Sequence, residues 1–279
     1  MTLYEIGSHR AVNSEELRKQ YNSESSPLRK QQLRMLDILK YVDNLCRENG
    51  LNYWLSDGTL LGAVRHQGFI PWDDDVDISM PKDDLEKLKI IMKSEKNADF
   101  VFQDSSTDEY YYSPYSKIRD KKTILSPSSN VKIEDSLWVY KGLWIDIFPF
   151  EDCHPIFNRI AFYTNTWGRR FYSSTPNVLA QKLGKFRLFI NSKGIIPLLR
   201  WVNKIICKNG RLTMAMGLDW AHSFQQSDIF PLKETNFEGY SFFCPNNTEG
   251  VLRYVFGDDF MSIPPINERG SHHLKVTWL

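Results

Sequence analysis

Between Leu55 and Met80 the chain reads LSDGTLLGAVRHQGFIPWDDDVDISM, and no other stretch limits the fold as much. Asp73, Asp74, Asp75 and Asp77 fall within five positions, beside Phe69, Ile70, Trp72, Val76 and Ile78. Two like charges about 4 Å apart repel by on the order of 1 kcal/mol in water and several times that near a protein interior. A chain that holds four carboxylates against apolar side chains calls for a cation. Asp75 to Met80 alternates polar and apolar, the period of a half-buried strand, so Asp75 and Asp77 emerge on one face. Asp73 and Asp74 follow Trp72 in a turn, where aspartate is favoured for its local hydrogen bonds. Those two read equally as turn-formers, outer acids or ligands.

The flanking segments supply partners for this cluster. Leu28 to Asn49 has a helical apolar face at Met35, Leu39, Val42 and Cys46, and Asn49-Gly50 stops it. Leu51 to Ser56 reads as a short strand, Gly58-Thr59 as the turn after it, and Leu60 to His66 as the start of a helix. A helix over Asp83 to Lys93 and strands over Ala98 to Gln103 and Tyr111 to Arg119 follow. A strand within Leu137 to Phe148 brackets Asp146 with apolar residues, which adds a third acid to Asp75 and Asp77. Carboxylate oxygens suit Mg²⁺ or Mn²⁺, and Mg²⁺ commonly shares one or two carboxylates with substrate phosphates. Gly58 and Thr59, between a strand and a helix, offer backbone N–H groups and a hydroxyl to a phosphate. Arg65 reads as a phosphate clamp, and Lys117 and Arg119 as further positive charge. These parts imply metal-dependent phosphoryl transfer, with Asp146 as first choice for the general base. His272 and His273, paired near the end, read on their own as exposed.

The charge is unevenly spread. From Cys153 through Leu218 there are eleven Lys or Arg and no Asp or Glu, which leaves 24 basic and 34 acidic residues elsewhere. Val178 to Lys208 has patches of helical period, interrupted at Gly194 and Pro197. This basic helical segment is expected to touch an anionic membrane surface peripherally through 178–208, or to close over bound phosphates as a lid. Cys46, Cys153, Cys207 and Cys244 are far apart with no C-x-x-C pair, so neither a zinc ribbon nor a disulfide framework is expected. The first residues lack an apolar signal core, and no run of about 18 apolar residues exists. The expected location is the cytoplasm, at the inner face of the membrane where contact is made. The parts are expected to be a polar, loosely held lead-in at 1–27, a catalytic core at 28–152, the basic segment at 153–228, and a C-terminal hairpin and helix at 229–279.

Gly58 to Ile78, GTLLGAVRHQGFIPWDDDVDI, resembles the signature of the LicD family. YSKIRDKKTI, GLWIDIFPFED, FEGYSFFCPNN and the SHH at Ser271 to His273 are similar to further parts of it. The resemblance implies an α+β fold, a nucleotidyltransferase-like core with a small mixed sheet flanked by helices, carrying the basic helical insertion. It implies transfer of a phospho-alcohol, phosphocholine first, from a CDP-linked donor to a hydroxyl of a cell-surface glycan or teichoic acid precursor, free or lipid-linked, with release of CMP. Nucleic acid is not among the expected partners. Asp75 and Asp77 match the metal-binding acids, Asp146 the third acid, Gly58 and Thr59 the phosphate turn, and Arg65 and Lys117 charged positions. His272 and His273 become site contributors by the same match, with no role assigned. Asp57 departs from the pattern, standing where relatives carry a small residue or glycine. The alternatives are glycerol- or ribitol-phosphate transfer and, further off, a metal-dependent glycosyltransferase. A choline group needs aromatic faces, for which Trp54, Trp72, Tyr111, Tyr112, Tyr115, Trp138 and Trp144 stand near the motifs.

Overall fold

The computed structural model describes residues 14–108, 111, 113–126, 138–173, 178–206, 211–214, 216–217, 222–270 and 275–279. A helix at 14–21 (α1) precedes α2 (Pro27–Glu48), β1 (Trp54–Leu55), α3 (Asp57–His66), β2 (Asp77–Pro81), α4 (Lys82–Glu95), β3 (Phe100–Gln103), β4 (Ser116–Asp120), β5 (Thr123–Ser126) and β6 (Trp144–Asp152). Then come α5 (Pro155–Ser173), α6 (Val178–Ile190), α7 (Ile196–Ile206), β7 (Arg211–Met214), β8 (Ser223–Gln225) and α8 (Gln226–Ile229). A hairpin of β9 (Lys233–Phe237) and β10 (Tyr240–Cys244), α9 (Thr248–Phe256) and β11 (Lys275–Trp278) complete the chain. Strands and helices mix as the α+β expectation requires.

Helix α2 starts where its sequence says it should. Ser26 Oγ accepts the Arg29 amide at 3.1 Å, and Pro27 occupies the first turn, where its missing N–H costs nothing. Its stripe of Met35, Ile38, Leu39, Val42 and Cys46 is fully buried. That stripe joins one core cluster with Ile78, Ile118, Ile145 and Ile147 from the sheet. The sheet has seven described strands, with β1, β2, β6, β4 and β3 in that spatial order. Strands β2 and β6 run parallel, and the other pairs are antiparallel. β6 is the axis: its first half lies between β2 and β4, and Phe150 to Asp152 pair with β7.

Several local expectations shift. β2 begins at Asp77, so Asp75 lies just ahead of the strand. The strand expected over 111–119 starts only at Ser116, and β5 pairs with the distant β11. The basic stretch is not purely helical, because β7 and β8 return to the main sheet. Gly194 and Pro197 do not break the helical run. A single π turn at Asn191–Ile195, closed by Ile196 N donating to the Asn191 carbonyl, absorbs the ring that cannot donate in the next turn. The lead-in is not loose where it is described: Leu17 is buried and Arg18 Nη2 donates to the His66 carbonyl at 2.9 Å. Cys46, Cys153 and Cys244 are buried, and Cys207 lies outside the described residues.

Gly62 shows how tightly the motif is packed. A Cβ there would stand 2.5 Å from the Gly68 carbonyl oxygen and 3.1 Å from the Ile70 nitrogen, both backbone atoms that cannot swing aside. Gly62→Ala is therefore expected to lower stability by about 1–3 kcal/mol. Urea denaturation checks this, and an unchanged midpoint would show that the loop at 68–70 yields freely.

Candidate active site

The parallel register of β2 and β6 sets Asp77 opposite Asp146. Antiparallel β4 sets Lys117 opposite Asp146, and β3 sets Gln103 opposite Lys117. Directly opposed residues share a face of a sheet. A polar row therefore crosses four strands as Asp77, Asp146, Lys117 and Gln103. At the β1 end it is continued by Ser56, whose amide donates to the Asp77 carbonyl at 3.1 Å. The residues one step along, Ile78, Ile118, Ile145 and Ile147, are fully buried. The alternation that buries one face of the sheet thus displays the acids on the other.

The row holds one ion pair. Lys117 Nζ meets Asp146 Oδ1, and Trp144 Nε1 donates to Asp146 Oδ2 at 2.9 Å. Both oxygens of the third acid therefore already accept, while each keeps a second lone pair. Burial draws the Lys117 ammonium down to about 8 from its ordinary 10.5, with Asp146 pulling the other way. Asp77 and Asp73 lie among further carboxylates. Burial first, then Asp75, Asp57, Asp146 and Asp73, push the Asp77 carboxyl well above the usual range. Asp73 rises for the same reasons, burial first and then Asp75 and Asp74.

Helix α3 carries its own N-terminus to these acids. The Asp77 amide donates to Thr59 Oγ1 at 2.8 Å, tying the helix to the strand. A Cβ on Gly58 would stand 3.0 Å from Asp73 Oδ2, so the glycine leaves space for a carboxylate against the first turn. The positive end of the helix favours an anion in that place. Asp57 takes φ +45°, a left-handed value that aspartate tolerates better than most residues. Its Oδ1 lies 3.2 Å from His222 Nε2. His222, just ahead of β8, was not foreseen and no motif around it pointed to the site, while Ser56 stands in the Leu55–Met80 stretch without having been singled out.

Arg65 is placed differently from the clamp expected of it. Its Nη1 donates to the carbonyls of Phe260 at 3.0 Å and Ser262 at 2.9 Å, and Nε meets His66 Nε2 at 3.0 Å. Burial lowers it to about 10. It fastens the 260–262 segment to α3. His272, His273 and Tyr112 lie outside the described residues. Of the aromatic residues, Trp54 packs on Phe150 and Phe230, and Trp72 on Tyr21 and His66, both in the core. The others gather beside the row. Lys117 Nζ stands 4.4 Å from the Trp144 ring and 5.2 Å from Tyr115, and the Arg119 guanidinium lies 4.8 Å from Trp144 and 5.2 Å from Trp138. Tyr111 closes the group against Trp138 at 5.4 Å.

The residues suit a hard divalent cation. The donors are all oxygens, and among the described residues no cation bonds the Asp77 or Asp73 carboxylate and the buried Ser56 Oγ has no hydrogen-bond partner. Among the described residues, no three side chains converge into a closed metal cage. An ion held here would have to take the rest of its ligands from water and a substrate phosphate, as Mg²⁺ commonly does.

Known proteins fall in line with this geometry. Residues 50–172 match the family described as LicD/FKTN/FKRP, nucleotidyltransferase domain. The chain is 28% identical over 264 residues to the lipopolysaccharide cholinephosphotransferase LicD of Haemophilus influenzae, covering 90% of this chain and 98% of that protein. Over 86 residues it is 31% identical to the human ribitol 5-phosphate transferase FKRP, which is 29% of this chain and 17% of that one. The matched span holds α3, the four aspartates, Lys117 and Asp146, so this part of the chain is similar to the LicD family domain.

Proposed function

We propose that the protein transfers a phospho-alcohol from a CDP-linked donor to a hydroxyl of a cell-surface glycan and releases CMP. The observation that carries this reading is the row Asp77–Asp146–Lys117 lying against the N-terminus of α3. We infer a nucleotidyltransferase-like core over 28–152, followed by the basic segment at 153–228 and the hairpin and helix at 229–279. Asp75 and Asp77 would hold Mg²⁺ or Mn²⁺, with Asp146 beside them. When bound, the ion supplies charge neutralisation at the donor phosphates and helps the CMP oxygens leave.

The chain's own groups supply the rest. The first turn of α3, at Gly58 and Thr59, orients a phosphate by its N–H groups. Lys117 holds Asp146 in place by their ion pair, and the remaining lone pairs of Asp146 accept the proton of the attacking hydroxyl. Phosphocholine is the first choice of group, supported by the near full-length likeness to a cholinephosphotransferase and by the half-buried rings of Tyr115, Trp138 and Trp144, whose faces already receive cations. Ribitol phosphate is the second, from the shorter likeness to FKRP.

Incubation with CDP-choline, CDP-ribitol or CDP-glycerol, a glycan acceptor and Mg²⁺ is expected to yield CMP from the choline donor, and chelation to stop it. No CMP from any donor would overturn the reading. Asp77→Asn is expected to cut turnover at least about 1000-fold, since charge stabilisation of the transferring group is the largest contribution to such catalysis. Its melting temperature should hold or rise, because one repelling charge is gone. A variant retaining near-normal turnover would exclude Asp77 as a ligand.

Lys117 sets the alkaline limit. Its charge is present below about 8 and lost above, so turnover is expected to fall as pH rises through that value. The stability effect has the opposite sign. The folded chain releases this proton before the unfolded chain does, so between about 8 and 10.5 this group alone makes stability rise with pH. A rate that declines with no loss of melting temperature identifies discharge of Lys117, and Lys117→Arg should move the decline to higher pH. A limb unmoved by Lys117→Arg would assign it elsewhere.

A further inference from the structure

Helices α5, α6 and α7 carry their polarity inside out. Their inward positions include Asn158, Asn191 and Asn203, all buried and all bonded. Asn158 Nδ2 donates to the Met214 carbonyl at 2.7 Å, Asn191 Oδ1 accepts from Thr164 Oγ1 at 2.7 Å, and Asn203 Nδ2 donates to the Asp152 carbonyl at 2.7 Å. The apolar cluster beneath is small: Cys153, Ala161 and Met216, with Phe157, Ile196 and Leu199 at its edge. Several large apolar side chains of α6 and α7 point out, though Leu188 is buried. Leu183, Phe186 and Ile190 form a stripe on α6, and Leu198, Trp201 and Ile205 form one on α7, each at the spacing of a single helix face. Phe186 is 60% exposed and Trp201 62%. An amphipathic helix of a soluble protein ordinarily turns such a stripe to the core.

We propose that this face docks on the surface of an anionic lipid bilayer, with the two stripes in the headgroup–acyl boundary. Charge selects the partner. The face belongs to a segment with eleven basic and no acidic residues from Cys153 through Leu218. Lys182, Lys193 and Lys204 are exposed beside the stripes. Apolar stripes rimmed by lysine suit anionic headgroups over hydrocarbon. A second copy of this chain would bring the same basic, acid-free face into contact with itself. Among the described residues no helix is long and apolar enough to cross a membrane, so the helices lie along the surface. Arg200 is not part of the rim. It bonds both oxygens of Glu151, at 2.7 and 3.0 Å, and anchors α7 to β6, the strand that carries Asp146. Docking would therefore fix the height of the site above a lipid-borne acceptor.

The test is co-sedimentation of the full chain with vesicles of phosphatidylcholine alone or mixed with phosphatidylglycerol. The wild type is expected to sediment with the mixed vesicles only, and less as salt rises. Lys182→Glu with Lys204→Glu is expected to weaken binding more than about tenfold, at roughly fivefold per charge near the surface. Phe186→Glu with Trp201→Glu is expected to weaken it at least about tenfold. Both variants should keep the wild-type melting temperature and CMP release in the absence of vesicles, which separates this face from the reaction. Wild-type protein that ignores phosphatidylglycerol, or variants that bind as well as it does, would overturn the proposal. So would a dimer by light scattering that Trp201→Glu dissolves while vesicle binding is absent.

Discussion

The buried pair of Lys117 and Asp146 is the contact on which the rest of the candidate site depends. Each is nearly inaccessible, and a lone charge so placed would discharge or draw in water. Strand pairing puts them directly opposite one another, so the pair forms as the sheet forms and needs no loop to close. It settles the charge on one acid and leaves Asp77, the next residue in the row, with its repulsion unrelieved. That imbalance is the basis of the proposal that the site takes a divalent cation and a diphosphate. A fully neutralised row would have no such need.

β6 transmits this arrangement to the rest of the molecule. Near its start it carries Trp144 and Asp146, and near its end Glu151 holds Arg200 of α7. One strand therefore links the proposed chemistry to the helices proposed to meet the membrane. α3 does a similar task on the other side. Thr59 ties its first turn to β2, and Arg65 ties its last turn to the carbonyls of Phe260 and Ser262. The helix is thus held at both ends, so the N–H groups proposed to meet a phosphate are oriented in advance. Pre-set donors of this kind need no reorganisation at the moment of reaction.

Much of this was legible in the chain because the signals are local. The stripe on α2, the hairpin at 233–244 and the acids two apart are read from spacing alone, whereas Gly58 and Thr59, read as a turn, lie in the first turn of α3. The register that joins Asp77 to Asp146 was not, since it depends on parallel strands separated by almost seventy residues. The lysine that neutralises Asp146 was recognised as positive charge, but its partner is a fact of strand pairing. Arg65 misled because helical phase decides where a side chain goes, and here it points to the 260–262 segment. β5 went unnoticed for want of a local partner, which comes only with Lys275–Trp278. The basic stretch announced its charge plainly, but only the fold showed asparagine inside and phenylalanine outside.

The central claim, that the acid row is a metal and diphosphate site, is tested most directly by a crystal structure with CDP-choline and Mn²⁺, using the anomalous signal to locate the metal. The account predicts a peak bound by Asp75 and Asp77, with the diphosphate against the first turn of α3. A peak held elsewhere, or a diphosphate bound away from Gly58 and Thr59, would contradict it.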